Sequence, residues 1–105
     1  MTWTKIATAD QVGEDEAIAV VLGDLKLAVF NSAGGFHVTD NVCTHQYALL
    51  SEGYVEDGCV ECPLHQARFD IRTGKAMCAP ATVDLRTHTV KREGDHIYVL
   101  SPAGK

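Results

Sequence analysis

Along this chain, apolar and polar residues alternate over short stretches that are separated by turn-forming residues. A first short strand is expected over residues 3–8. Two apolar runs, 17–22 and 25–30, follow with only Gly23 and Asp24 between their ends. Because a two-residue loop that contains glycine suits the tight turns of β-hairpins, the two runs predict a hairpin.

The second run of this hairpin has an apolar residue at every other position. Leu25, Leu27 and Val29 therefore share one side of the strand, and we expect that side to be buried. The next stretch, residues 36–39, alternates in the same way. It places His37 on the polar side, where we expect the imidazole to be exposed.

The C-terminal part of the chain repeats this alternation. Over residues 82–90, Val83 and Leu85 fall on one face, and His88 falls on the opposite, polar face. A last strand follows the turn at residues 92–95.

In that last strand, Ile97 and Val99 are expected to point inward and His96 outward. No stretch sustains the 3.6-residue period of an amphipathic helix, no internal repeat is visible, and turn-forming residues recur at short intervals. The sequence therefore predicts an all-β protein with the architecture of an antiparallel β-sandwich or barrel.

Length and charge exclude several classes of protein. With 105 residues the chain is expected to form a single domain, too small to hold a second catalytic unit. The formal net charge of −5 argues against nucleic acid as a partner, because binding to phosphates needs a basic face. The sequence shows neither a signal peptide nor an apolar run of membrane-spanning length, so we expect no membrane association and a cytoplasmic location.

Two short segments combine cysteine with histidine. Cys43 and His45 are separated by one residue, and Cys62 and His65 by two. Thiolates and imidazoles are preferred ligands of transition metals, so these four residues predict a metal site. Such a set can hold either one tetrahedral zinc ion or a cluster of two irons and two sulfides. Each segment mixes the two ligand types, and strand-like alternation follows His65, which is untypical of zinc modules.

The two segments and their flanks resemble the Rieske iron-sulfur motif. The overall sequence pattern is most similar to that of the small bacterial ferredoxins that serve aromatic-ring dioxygenases of the biphenyl and naphthalene type. The resemblance covers nearly the whole chain. The matching stretches are residues 40–45, 50–54, 61–66, 68–70 and 73–76.

This resemblance implies a specific domain organisation. Antiparallel basal sheets, formed by residues 1–41 and 80–105 approximately, would carry an inserted cluster-binding subdomain of about residues 42–79. It also implies one Rieske-type [2Fe-2S] cluster for each chain. In such a site Cys43 and Cys62 would bind the inner iron, and His45 and His65 would bind the iron nearer the solvent.

The function implied by the resemblance is electron transfer rather than catalysis. The donor would be an NAD(P)H-dependent flavoprotein ferredoxin reductase, and the acceptor a terminal Rieske oxygenase. Oxygen activation in that family requires a further iron site made of two histidines and a carboxylate, and 105 residues leave no room for such a domain.

Four positions around the expected cluster lack polar groups that high-potential members of the family carry. The residues at these four positions would leave the cluster sulfurs without side-chain hydrogen-bond donors. Since such donors stabilise the reduced cluster, their absence predicts a reduction potential at the low end of the Rieske range, about −150 mV. Ala67 also stands where close relatives often have glycine, and we expect a slight shift of the loop there if the backbone needs a positive φ or passes close to a cluster sulfur. The four positions are Ala48, Leu64, Ala67 and Phe69.

Two other functions compete with this interpretation. The chain could be a small subunit of an assimilatory nitrite reductase, or a zinc-binding interaction module without a redox role. The remaining cysteines, Cys59 and Cys78, are interpreted as small core residues rather than a redox pair. An acidic run is interpreted as a solvated surface that would orient a basic protein partner if it lies near the cluster. It consists of Glu52, Glu56, Asp57 and Glu61.

Overall fold

A computed structural model describes residues 2–32, 34–43, 48–63, 67–77 and 83–101. Within these ranges the chain forms β-strands and two 3₁₀ turns, Ala9–Gln11 and Leu50–Glu52, and no α-helix. The strands are, in chain order, β1 (Thr2–Thr8), β2 (Glu16–Leu22), β3 (Leu25–Ser32), β4 (Gly35–Asp40), β5 (Tyr54–Glu56), β6 (Cys59–Glu61), β7 (Arg68–Asp70), β8 (Thr87–His88), β9 (Val90–Glu93) and β10 (His96–Ser101).

The strands form three antiparallel sheets. Their strand orders are β1-β10-β9, β2-β3-β4-β8 and β5-β6-β7. The first two sheets contain the N-terminal and C-terminal parts of the chain, and the third lies between them in sequence. The predicted all-β, antiparallel fold is confirmed. No helix in the described ranges is long and apolar enough to cross a membrane.

The predicted hairpin is formed by β2 and β3. Their register pairs Leu22 with Leu25 across the two-residue connection, as the sequence indicated. Gly23 has a φ of 61°, which the first position of both hairpin turn types requires and which glycine adopts without steric strain. The turn residue therefore fixes the register of the whole hairpin.

Strand β3 is buried on both of its faces. Leu27 and Val29 point to one side, and Ala28 and Phe30 to the other; all four are completely shielded from solvent. The prediction of one buried face was right for Leu27 and Val29 but incomplete. The opposite face is also covered, because residues of the third sheet and its flanking segments pack against it.

Leu27 and Val29 belong to a group that we call the basal core. It fills the space between the first two sheets, and its fully buried members are Val12, Leu27, Val29, Val38 and Val99. Ile97 and Val99 are buried and His96 is exposed, as predicted.

Ala28 and Phe30 belong to a second group, which we call the ligand-side core. It joins one face of β3 to the third sheet and to both segments that carry the predicted cysteine ligands. Its buried members are Ala28, Phe30, Cys43, Ala48, Leu50, Val55, Val60, Cys62, Ala67, Phe69, Ile71 and Leu85. The strand β3 is thus the shared wall of two cores.

His37 is partly buried, so the expectation that it is exposed was wrong. It pairs with Phe30 across β3 and β4 and lies on the face that the third sheet covers. Burial lowers the pKa of His37 below its ordinary value; the charge of Arg72 acts in the same direction, and Asp70 opposes them. Its Nε2 atom is buried without a hydrogen-bond partner among the described residues.

His88 and Val83 also differ from their predicted positions. The His88 side chain is only 5% exposed, and its Nε2 lies 2.7 Å from Oδ1 of Asp40. Val83 is 59% exposed, whereas its predicted neighbour on the inner face, Leu85, is buried as expected. The alternation was misleading because β8 is only two residues long, so a regular strand does not extend over the predicted range.

Candidate metal centre

The two predicted ligand segments have matching ends. We call residues 43–48 loop 1 and residues 62–67 loop 2. A β-bridge between Val42 and Leu49 flanks loop 1. The pair Glu61 and Arg68, at the end of the β6–β7 ladder, flanks loop 2. Each loop therefore begins directly after a paired residue and ends directly before its partner.

One backbone hydrogen bond recurs at the base of both loops. The N–H of Cys43 donates to the carbonyl oxygen of Ala48 at 2.9 Å. In loop 2 the N–H of Cys62 donates to the carbonyl oxygen of Ala67 at 2.7 Å. In each loop the cysteine is the first residue and the acceptor is the last. The backbone thus fixes both cysteines in equivalent positions.

Both cysteines are buried in the ligand-side core. Cys43 is 4% exposed and Cys62 is 1% exposed. A pair of thiolates in an apolar environment is unfavourable unless a nearby cation offsets its charge. Soft transition-metal centres bind thiolates and supply that charge. The two cysteines therefore fit the thiolate half of the predicted site.

The other predicted ligands, His45 and His65, lie outside the described residues. The same holds for Leu64 and for Cys78. The structure thus brings together Cys43 and Cys62 as members of one core, and the role of the histidines stays a prediction.

The predicted surroundings of the cysteines can be checked at three positions. Ala48, Ala67 and Phe69 are all buried, with exposures of 8%, 0% and 0%. None of these side chains has a hydrogen-bond donor. The expected shift of loop 2 at Ala67 involves residues outside the described ranges and stays a prediction.

Cys59 does not belong to either core. It is partly exposed, and its Sγ lies 3.2 Å from the Sδ of Met77. The interpretation of Cys59 as a core residue was therefore wrong. It lies on β6 two positions from Glu61 and on the same face, because neighbouring side chains of a strand alternate between its faces. That face is the one turned away from the ligand-side core.

The acidic run is solvated, as predicted. Glu52, Glu56 and Asp57 are exposed, and Glu61 is partly exposed. A groove of about 620 Å³ lies elsewhere, next to Phe36. It shares no residue with loop 1 or loop 2.

Sequence reasoning did not single out Asn41 and Ser51, which anchor loop 1. Asn41 is 2% exposed and exchanges two side-chain hydrogen bonds with Ser51. The only hint in the sequence is an amide residue two positions before a ligand cysteine, which by itself does not distinguish a buried anchor from an exposed turn residue.

An antiparallel β fold with two buried cysteines at the start of matching loops fits a small metal-binding domain. The chain belongs to the family described as the Rieske [2Fe-2S] domain, which matches residues 2–91. Members of this family carry a Rieske-type [2Fe-2S] cluster, which answers the choice between zinc and a cluster.

Individual relatives are similar over almost their full length. The ferredoxin component of the naphthalene 1,2-dioxygenase/salicylate 5-hydroxylase systems of a Ralstonia species is 42% identical over 97 residues, which are 92% of this chain and 93% of that protein. The solved Sphingomonas yanoikuyae B1 ferredoxin is 34% identical with a TM-score of 0.91; the match covers 96% of this chain and 100% of that one.

A further solved structure contains a reduced oxygenase together with an oxidised ferredoxin in carbazole 1,9a-dioxygenase. That match is 33% identical, has a TM-score of 0.86, and covers 92% of this chain and 91% of the other. A structure described as a putative nitrite reductase small subunit is 20% identical with a TM-score of 0.84, which shows a likeness in fold alone.

Proposed function

We propose that this chain is the ferredoxin component of an aromatic-ring hydroxylating dioxygenase system. It carries single electrons from an NAD(P)H-dependent flavoprotein reductase to the terminal oxygenase and is not itself an enzyme. The observation that carries this proposal is the 42% identity to such a component over 92% of the chain. The solved complex of an oxygenase with a similar ferredoxin supports the oxygenase as a partner.

The proposed ligands of the cluster are Cys43, His45, Cys62 and His65. The two cysteines would hold the inner iron and the two histidines the outer iron. Two observations support the cysteines: both are buried, and both begin loops closed by the same backbone hydrogen bond. The histidines are proposed from the spacing in the sequence and from membership in the family.

The same proposal includes the domain organisation and location of the chain. It is a single Rieske domain whose basal sheets comprise about residues 1–41 and 80–105, with a cluster-binding subdomain at about 42–79. The division of the buried residues into a basal core and a ligand-side core supports this arrangement. The proposed location is the cytoplasm.

When bound, the cluster supplies a centre that accepts and releases one electron. The chain's own residues set how readily it does so. Cys43 and Cys62 exclude water from the thiolate side, because both are almost fully buried. Ala48, Ala67 and Phe69 offer no side-chain donor that would stabilise the more negative, reduced state. These residues support a potential at the low end of the Rieske range, about −150 mV.

The proposal is tested by electron paramagnetic resonance (EPR) of the purified protein before and after reduction with dithionite, with analysis of iron, sulfide and zinc. We expect a signal only after reduction, with an average g below 2, and iron and sulfide in equal amounts. Cys43→Ser should abolish both, whereas Cys59→Ser, a matched control outside both cores, should keep them. Bound zinc without sulfide would overturn the cofactor assignment.

The electron-carrier role is tested in a reconstituted system. The reduced protein is mixed with the terminal oxygenase and reductase of a naphthalene dioxygenase system, and substrate-dependent oxidation of NADH is followed. We expect turnover to depend on the concentration of this chain. A loaded protein that supports no electron transfer to the oxygenase would contradict the proposed function while leaving the cluster assignment intact.

A further inference from the structure

The two cysteine loops are held in place by different means. Loop 2 lies at the end of a regular ladder, in which β6 and β7 pair at three successive positions. Among the described residues, loop 1 is flanked by the isolated bridge of Val42 and Leu49 and by no longer ladder. A single bridge restrains a loop less than a continuous ladder, because its two backbone hydrogen bonds are not extended by further strand pairs. Loop 1 therefore needs another restraint.

Asn41 supplies such a restraint through both its backbone and its side chain. Its N–H donates to the carbonyl oxygen of Lys26 at 2.8 Å. Its own carbonyl oxygen accepts from the N–H of Leu50 at 2.7 Å, which is one of the two bonds of the bridge itself. The side-chain Oδ1 accepts from the N–H of Ser51 at 2.7 Å, and Nδ2 donates to the Ser51 Oγ at 3.0 Å.

These four hydrogen bonds join three parts of the chain. Asn41 lies two residues before Cys43, and Leu50 and Ser51 lie just after the end of loop 1. Lys26 belongs to β3, the shared wall of the two cores. The residue therefore ties the start of loop 1 to its end and fixes both to the wall.

The corresponding position before loop 2 is different. Val60 lies two residues before Cys62, is fully buried, and pairs with Phe69 inside the ladder. A polar anchor is not needed there because the ladder already satisfies the backbone. An asparagine buried to 2% exposure is unfavourable unless its polar atoms are paired, and at Asn41 both side-chain polar atoms are.

We propose that Asn41 is a positioning residue for the metal centre: its paired side chain clamps loop 1 and thereby fixes Cys43 relative to Cys62. This inference rests on the proposed cluster ligands. Without the clamp, loop 1 would adopt several arrangements, so the Cys43 ligand would dissociate more readily and the reduced cluster would experience more than one environment.

The test compares Asn41→Ala and Ser51→Ala with Asn31→Ala in the cluster-loaded protein. Asn31 is a matched control, since it is also an asparagine whose Nδ2 donates a hydrogen bond, to the carbonyl oxygen of Val12 at 2.9 Å. It lies at the far end of β3 from Lys26, next to the basal core. The readouts are the rate of cluster loss to an iron chelator, from visible absorbance, and the EPR line width of the reduced protein.

We expect Asn41→Ala to lose the cluster about tenfold faster than the wild type. That factor corresponds to about 1.4 kcal/mol, which is the range of one or two hydrogen bonds in net terms. Its EPR signal should also broaden. Asn31→Ala should lower the melting temperature Tm but change neither the chelation rate nor the line width. Ser51→Ala, which removes only the Nδ2 bond, should lie between the wild type and Asn41→Ala.

The outcomes separate this inference from the proposed function. One outcome is that the wild type shows the Rieske signal, while Asn41→Ala and Ser51→Ala both match Asn31→Ala in chelation rate and line width. The proposed positioning role of Asn41 would then be wrong, and the cluster assignment would stand. If Asn41→Ala does not fold, the comparison of Ser51→Ala with Asn31→Ala decides by the same criterion. A wild type without the signal would overturn both proposals.

Discussion

Replacing Phe30 with alanine should separate the stability of the fold from the retention of the cluster. Phe30 is completely buried and lies in the same core as Cys43 and Cys62. Truncating a buried phenylalanine costs about 3–5 kcal/mol, because the lost apolar contacts leave a cavity. A domain of 105 residues has an unfolding entropy of about 0.2 kcal/mol/K, so each kcal/mol lowers Tm by about 4–5 °C. Phe30→Ala should therefore lower Tm by about 12–25 °C.

The matched control is Leu27→Ala on the opposite face of the same strand. Leu27 is equally buried but belongs to the basal core, and its truncation costs about 2–5 kcal/mol. Both variants should therefore melt well below the wild type. Only the Phe30 variant removes a side chain from the core that contains the two cysteines, so only this variant should loosen the metal centre before the fold is lost.

The assay follows thermal unfolding by far-ultraviolet circular dichroism and cluster absorbance in the visible range, on the same sample. For the wild type and Leu27→Ala, we expect the two transitions to coincide. For Phe30→Ala the cluster absorbance should disappear at a lower temperature than the circular dichroism signal. Coincident transitions in both variants would refute the idea that the two faces of β3 serve separate cores.

Two further predictions concern packing and pH. Gly53→Ala should lower the free energy of unfolding by about 1–3 kcal/mol, because the new Cβ would clash with the carbonyl oxygen of Glu61. The control is Gly35→Ala, whose Cβ would meet nothing within 4 Å. An equal loss of Tm in both variants would contradict this reasoning. Since the pKa of His37 is lowered in the folded chain, the unfolded chain binds its proton more readily, and stability should fall as the pH drops below about 6.5. In chemical unfolding from pH 7.5 to pH 5.5, His37→Gln should show a smaller loss than the wild type, and an unchanged loss would assign the effect to other groups.

Local patterns were sufficient to predict the hairpin and the fold class. Gly23 and Asp24 determined the turn between β2 and β3, and alternation placed Ile97 and Val99 inside. These features depend on residues that are close in sequence. Turn chemistry and period-two alternation report on such short-range structure directly.

Patterns failed where burial depends on distant parts of the chain. His37 alternates like an exposed residue, yet the sheet that covers it is formed by residues more than fifteen positions further along. The alternation places His88 on the polar, exposed face. Its side chain can nevertheless be buried, because Asp40 pairs with its Nε2. Alternation shows which residues share a face of a strand, and it does not show whether the other face is also covered.

The candidate metal centre was predictable in part: the structure places Cys43 and Cys62 in one buried core, and their role as ligands stays a prediction. Both cysteines were singled out because thiolates at this spacing have few other uses. Asn41 was not, since a single asparagine carries no comparable signal and its role depends on contacts with Lys26 and Ser51. The residue type itself indicates a possible metal ligand. A positioning residue can be recognised only from its contacts, which depend on how distant parts of the chain fold together.

The two-sided burial of β3 has a consequence for protein engineering. A segment such as residues 42–77 is an obvious candidate for transplanting the metal centre into another β-sandwich. Such a graft would lose three of the twelve buried members of its core, because Ala28, Phe30 and Leu85 come from outside the segment. A recipient scaffold would have to present the same small-then-large pair on an outward-facing strand, together with an asparagine in the place of Asn41 to bind Ser51. The unit that can be inherited or exchanged is therefore the loops together with their supporting strand.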